Sequence, residues 1–282
     1  MRHVTDRLRS SASLRGFTLV EMIISIVITG VVVSMIALFG GNQIGAYIDA
    51  GNRAELADAA DTAVRRIARD LKGALPNSVR VSAASDLLEF VPIRDAGRYR
   101  AELTGIGGGN PLDFSSNADN SFDVLGPGVS VSAGDQLVIY NLGQPGSDVY
   151  LGTSRKALSV AGNGLTSLSF TMAGSQFPFA SPQNRFQIVG TPVTYECAAN
   201  AVTPELGTVI RHGGYGFQPA VGSRPWAQGG AAAILITDVA DCRFDYTPAV
   251  LQRNGLAVMR LTLTRNGESV VVLYQVDVLN TP

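Results

Sequence analysis

Residues 16 to 30 set one acid inside an apolar run, and that is where residue type and spacing first suggest chemistry. The run reads Gly16-Phe17-Thr18-Leu19-Val20-Glu21-Met22 and continues to Phe39; from Phe17 to Phe39, 17 of 23 residues are apolar and Glu21 is the one charge. A helix of that length spans a hydrocarbon core of roughly 30 Å. A carboxylate at that depth costs at least ~2.5 kcal/mol, so it marks a functional site whose partner must be named, unless it snorkels to the interface from the helix end. Ahead of the run, Arg2, Arg7, Arg9 and Arg15 stand against one acid, Asp6. A secretory signal puts its small-residue cleavage site after the apolar segment, whereas here the small residue, Gly16, comes first. A cut after Gly16 would remove a basic leader and leave the apolar helix on the mature chain. The leader, being positive, would face the cytoplasm and the rest would be exported.

Other chemistry-bearing residues point to no catalytic centre. His3 lies in the leader, so the mature chain keeps His212, in Arg211-His212-Gly213-Gly214-Tyr215, and no Gly-x-Ser-x-Gly accompanies it. The sequence places His212 in a surface loop and names no catalytic residue. One histidine and two distant cysteines give no zinc ligand set. Gly105 to Asn110 lacks the dinucleotide fingerprint and its βαβ context, and Gly213-Gly214-Tyr215-Gly216 lacks a phosphate-binding lysine; both read as turns. Asp113 to Asp123 is rich in oxygen donors but departs from EF-hand spacing, so a solvated loop is expected rather than a calcium site. No cofactor and no metal are expected. Removing the leader takes four of 22 basic and one of 23 acidic residues, leaving 18 against 22. That balance excludes nucleic acid as a main partner.

Arg15-Gly16-Phe17-Thr18-Leu19-Val20-Glu21 resembles the processing site of type IV prepilins and type II secretion pseudopilins. The resemblance implies a prepilin peptidase that cuts between Gly16 and Phe17 and methylates Phe17. It also implies that Glu21 is an assembly acid, and that the partners are other major and minor pilins and an inner-membrane assembly platform. The ammonium of Phe17 on one subunit would neutralise Glu21 of its neighbour, where low effective dielectric strengthens the attraction.

These residues need elements to hold them. The sequence divides into a leader (1–16), a transmembrane and assembly helix (17–39), its amphipathic continuation (40–75) and a β-rich exported domain (77–282). In the continuation, Leu56, Ala60, Ala63, Val64, Ile67 and Leu71 recur at helical spacing, Asp61 and Arg65 form an i, i+4 pair, and Pro76 stops the helix. Its apolar face would pack on a sheet and leave the first half as a free spine. From residue 77 the period changes to two. Candidate strands are 87–91, 136–140, 165–172, 186–189, 193–197, 208–211, 233–239, 242–246, 256–264 and 269–278, the last pair joined through Asn266-Gly267, a hairpin signal. Thr104–Gly109 and Asp113–Gly128 read as loops. The expected fold is α+β and pilin-like: a long N-terminal helix packed on an antiparallel sheet.

Cys197 and Cys242 both fall in the exported part, where an oxidising compartment allows a disulfide; two buried thiols are the alternative. The C-terminal third, with Phe186 to Val189, Thr191 to Cys197, Asp238-Val239 and Gln275 to Pro282, resembles minor pilins of MSHA-type (mannose-sensitive haemagglutinin) pilus biogenesis. That resemblance implies a non-enzymatic minor pilin. Two other roles compete with it: a type II secretion pseudopilin, and an adhesive tip module that binds through Tyr215, Phe217 and Trp226 in the loop Gly213–Gly230.

Overall fold

Helical periodicity through the N-terminal quarter becomes one helix, α1, running Leu19–Lys72 in the computed structural model, which describes residues 16–248 and 254–280. The leader up to Arg15 lies outside the described residues. The chain divides into two units at Gly51/Asn52, inside α1. In the first unit the side chains from Phe17 to Phe39 are exposed on every face, and this part of α1 is long and apolar enough to cross a membrane. In the second unit α1 becomes amphipathic: Leu56, Ala60, Ala63, Val64, Ile67, Ala68 and Leu71 are buried. The helix stops at Lys72 rather than Leu75. Tightened hydrogen bonds from Gly73 N to Asp70 O and from Ala74 N to Leu71 O, each 3.1 Å, close its last turn, and Pro76 lies beyond.

Sixteen strands follow: β1 (Arg80–Val81), β2 (Leu87–Phe90), β3 (Ile93–Tyr99), β4 (Ser121–Leu125), β5 (Val129–Val131), β6 (Gln136–Val138), β7 (Arg155–Leu158), β8 (Gly162–Leu165), β9 (Ser167–Thr171), β10 (Arg185–Val189), β11 (Val193–Ala198), β12 (Thr208–Gly213), β13 (Ala231–Ile236), β14 (Val239–Thr247), β15 (Gly255–Arg265) and β16 (Glu268–Val278). Every pairing among the described residues is antiparallel. The architecture is α+β, a long N-terminal helix followed by an antiparallel β-rich domain. β1-β2-β11-β12-β13 form one sheet and β14-β15-β16 another. Both bury their inner faces with α1, through Leu88, Phe90, Val193, Tyr195, Cys242, Phe244, Met259 and Leu261 among others.

β1, β3, β4, β5, β7 and β8 escape the periodicity. β3 carries Arg94, Asp95 and Arg98, and β4 lies inside the segment 113–128 expected to be a loop. Both belong to a closed barrel, β10-β3-β4-β9-β7-β6, filled by Tyr99, Phe122, Phe170, Phe186 and Ile188. A barrel needs an inward side chain only at alternate positions, so polar residues on the outer face hide the strand. Gly97 on β3 faces Phe186: a Cβ there would lie 2.7 Å from the ring. The expected strand 233–239 is broken in two, because Asp238 turns the chain at φ 61°. The Asn266-Gly267 hairpin forms as expected, with φ of 53° and 82°, as a two-residue primed turn requires.

β2 and β11 are hydrogen-bonded neighbours although 93–189 lies between them. The barrel is thus an insertion whose ends meet: Gly190 N donates to Pro92 O at 3.1 Å, and Ile93 pairs with Val189. A third apolar cluster, Leu75, Val91, Val138, Val149, Tyr150 and Val189, joins barrel to sheet. Cys197 on β11 and Cys242 on β14 form a disulfide, Cα atoms 5.9 Å apart, tying the two sheets. Closing a loop of this length contributes about 4 kcal/mol by chain entropy.

Candidate functional site

Gly16, Phe17 and Thr18 precede the helix and are not helical. Thr18 takes the N-cap position: its Oγ1 accepts from Glu21 N at 3.2 Å, and its carbonyl accepts from Met22 N at 3.1 Å. Thr18-Leu19-Val20-Glu21 thus has the spacing of a capping box, and Glu21 sits in the first turn where the helix dipole favours an acid. The sequence signal for this cap is a threonine three residues before an acid at the start of an apolar run. Among the described residues a Cβ at Gly16 would meet nothing within 4 Å. Phe17 is exposed, and no side-chain partner for the Glu21 carboxylate occurs among the described residues.

Several polar clusters lie in the β-rich domain among the described residues. Glu89 on β2 accepts from Arg80 Nη2 at 2.5 Å and from Tyr215 Oη at 3.0 Å. Burial pushes its carboxyl above the usual range, and Arg80 opposes that shift. The Arg80 guanidinium also lies 3.5 Å from the centroid of the Tyr150 ring and donates to the carbonyls of Gln218 and Pro219. On the inner face of α1, Asp70 accepts from Tyr195 Oη at 2.8 Å and from Arg211 Nε at 3.1 Å. Burial, then Asp70, raises the Tyr195 hydroxyl far above its ordinary value.

His212 is not the surface-loop residue expected. It lies on β12, 4% exposed, with Nε2 2.7 Å from Glu196 Oε2 and its ring stacked 4.4 Å from that of Trp226. Arg224 bridges Glu196 and Asp86 at 3.2 and 2.8 Å. Strand alternation turns His212 inward, and the following glycines fold the loop back over it. No hydroxyl or thiol is hydrogen-bonded to either ring nitrogen among the described residues. The aromatics proposed for adhesion are likewise spent on packing. Tyr215 is buried, Phe217 packs on Tyr150 beneath Arg155, and Trp226 covers His212 and Tyr215.

The oxygen-rich segment from Asp113 is ordered by an amide. Gln176 Nε2 meets the carbonyls of Asp113, Ser116 and Asp119 at 3.2, 3.1 and 2.9 Å, and its backbone N donates to Asn117 Oδ1 at 2.8 Å. No group of three or more His, Cys, Asp or Glu side chains suited to a metal occurs among the described residues.

Residues 13–37 match the family model described as the prokaryotic N-terminal methylation motif. No curated protein and no solved structure matches the chain. The match covers the leader junction, Gly16, Phe17, the Thr18 cap and Glu21, and with the apolar helix that starts there it supports a type IV prepilin-like protein.

Proposed function

We propose that this chain is a minor type IV pilin, a non-enzymatic subunit cut after Gly16 by a prepilin peptidase and methylated on Phe17. Residues 17–39 hold it in the inner membrane, with the disulfide-bearing domain on the periplasmic side, until it joins other major and minor pilins through the assembly platform. The observation that carries this is the coincidence of the 13–37 match with a capped helix start and one acid in its first turn. In an assembly the methylated ammonium of Phe17 on one subunit meets Glu21 of the next and fixes their axial stagger.

The finer reading, a minor pilin of the MSHA type like MshO, rests on the C-terminal segments Phe186–Cys197 and Gln275–Pro282. A type II secretion pseudopilin is the second reading, since the same processing segment serves both. An adhesive tip role gains nothing from Tyr215, Phe217 and Trp226, whose rings pack inward.

Mass spectrometry of the mature N-terminus in cells with and without the peptidase tests the cut. Glu21→Gln and Glu21→Ala should leave the cut and methylation intact and lower incorporation into filaments at least tenfold. Normal incorporation of both variants would remove Glu21 from assembly.

A further inference from the structure

A cavity of about 210 Å³ opens in the β-rich domain where the end of α1 meets β2, the start of β3 and β12. The last turn of α1 brings Arg69 and Asp70 to it, β12 brings Arg211, and Phe90, Pro92 and Ile93 supply an apolar wall. Arg211 stands opposite Tyr195 in the register of β11 and β12, and both reach one oxygen of Asp70. Tyr195 Oη donates to Oδ2 at 2.8 Å and Arg211 Nε donates to it at 3.1 Å.

That bond holds the planar guanidinium of Arg211 in place and uses one of its five N–H donors, which leaves the Nη groups for a second acceptor. Arg69 is exposed and pairs with no carboxylate among the described residues. Two cations therefore stand against the one carboxylate of Asp70, and the cavity has one positive charge in excess. Free carbonyls at a helix C-terminus would repel an anion. Here Asp70 O and Leu71 O already accept from Gly73 N and Ala74 N, and Gly73 O accepts from Ile93 N at 2.9 Å.

We propose that this cavity binds one carboxylate carried on a short hydrocarbon chain. The carboxylate takes the Arg69 guanidinium and the Nη donors of Arg211, charge-assisted bonds that a neutral amide does not match. Its chain lies against Pro92 and Ile93, which are half-buried. Volume limits the ligand, because sites for drug-sized molecules run to roughly 300–1,000 Å³ and this one is smaller. Two sources share the chemistry: a free short-chain acid, and a glutamate side chain of another protein. Screening at the exposed Arg69 keeps the affinity in the millimolar range. Every residue involved lies between 69 and 211, so the site is independent of the leader, the cut and the anchor proposed above.

Proton–nitrogen NMR of the full chain in detergent micelles, titrated with butyrate and separately with N-acetyl-glutamate N-methylamide, tests the site. Saturable shifts are expected at the amides of Gly73 and Ile93. Arg69→Gln should weaken binding about fivefold, the upper end for an exposed ion pair, and leave the rest of the spectrum in place. Arg66→Gln, an exposed arginine outside the cavity, should leave the affinity unchanged. Saturation by butyrate alone assigns the site to a free acid, and saturation by the capped glutamate assigns it to a protein side chain; both uphold the carboxylate. Equal shifts with N-acetyl-glutamine N-methylamide or with sulfate would overturn it. So would an unchanged affinity in Arg69→Gln, equal weakening by Arg66→Gln, or no saturable shift.

Discussion

Thr18 accepts the Glu21 amide proton in the first turn of α1, and that hydrogen bond places the Gly16–Phe17 peptide outside the helix. A peptidase binds extended backbone, so under the processing proposed above the cap would present the Gly16–Phe17 bond to it. Thr18→Ala costs about 1 kcal/mol at an N-cap and lets the helix fray or start elsewhere. Processing in membranes should slow several-fold, with Thr18→Ser restoring it; an unchanged rate of leader loss on gels would rule the cap out. Glu89 offers a second test at this scale. Arg80→Ala strips the partner from a buried carboxylate and should cost about 3–5 kcal/mol in denaturant unfolding, whereas adding Glu89→Gln recovers part of the loss. Burial raises the folded-state value of Glu89 above its unfolded one. Its contribution is present below the ordinary carboxylate range and is lost as pH rises through the raised value. Glu89→Gln alone should therefore flatten the fall of unfolding free energy across that window.

At the scale of elements, Gln176 ties the loop after β9 to the loop after β3. Three carbonyls converge on its amide nitrogen as they would on a cation, yet an amide has only two protons to give. Gln176→Ala leaves those carbonyls without their donor in a site where Gln176 is itself buried, at about 1–3 kcal/mol. Thermal melts should show the drop, and added calcium should leave the melting temperature of the unaltered chain where it was. A calcium-dependent rise would mean that the oxygens of 113–119 bind the ion in preference to the amide.

For the molecule as a whole, the barrel is an excursion from a sheet that is complete without it. β2 and β11 pair directly, and Pro92 and Gly190 are hydrogen-bonded at its root. Replacing 93–189 by a short glycine linker should leave a chain that still forms the Cys197–Cys242 bond and retains its helix and sheet signals by circular dichroism. It should melt lower, because Leu75 and Val91 lose Val138, Val149 and Tyr150. Loss of the disulfide and of cooperative unfolding in the shortened chain would show that the barrel is needed for the sheet to form.

Local rules made some of this legible in the sequence. The 3.6 spacing from Leu56 to Leu71 needs only one buried face, the hairpin of β15 and β16 only a two-residue Asn-Gly turn, and the anomaly at Glu21 only an apolar surround. Tertiary structure alone decided the rest. Polar β3 and β4 become strands because the barrel offers them partners, and Val193 finds Phe90 rather than its own neighbours across about a hundred intervening residues. The glycines after His212 read as a turn and put it in a loop, whereas strand register against β11 and β13 buries it. The sequence allows the two cysteines to pair, but only the meeting of β11 with β14 brings them into bonding distance. Periodicity records which face of a segment is apolar, and the choice of partner for that face depends on contacts far along the chain that no local pattern carries.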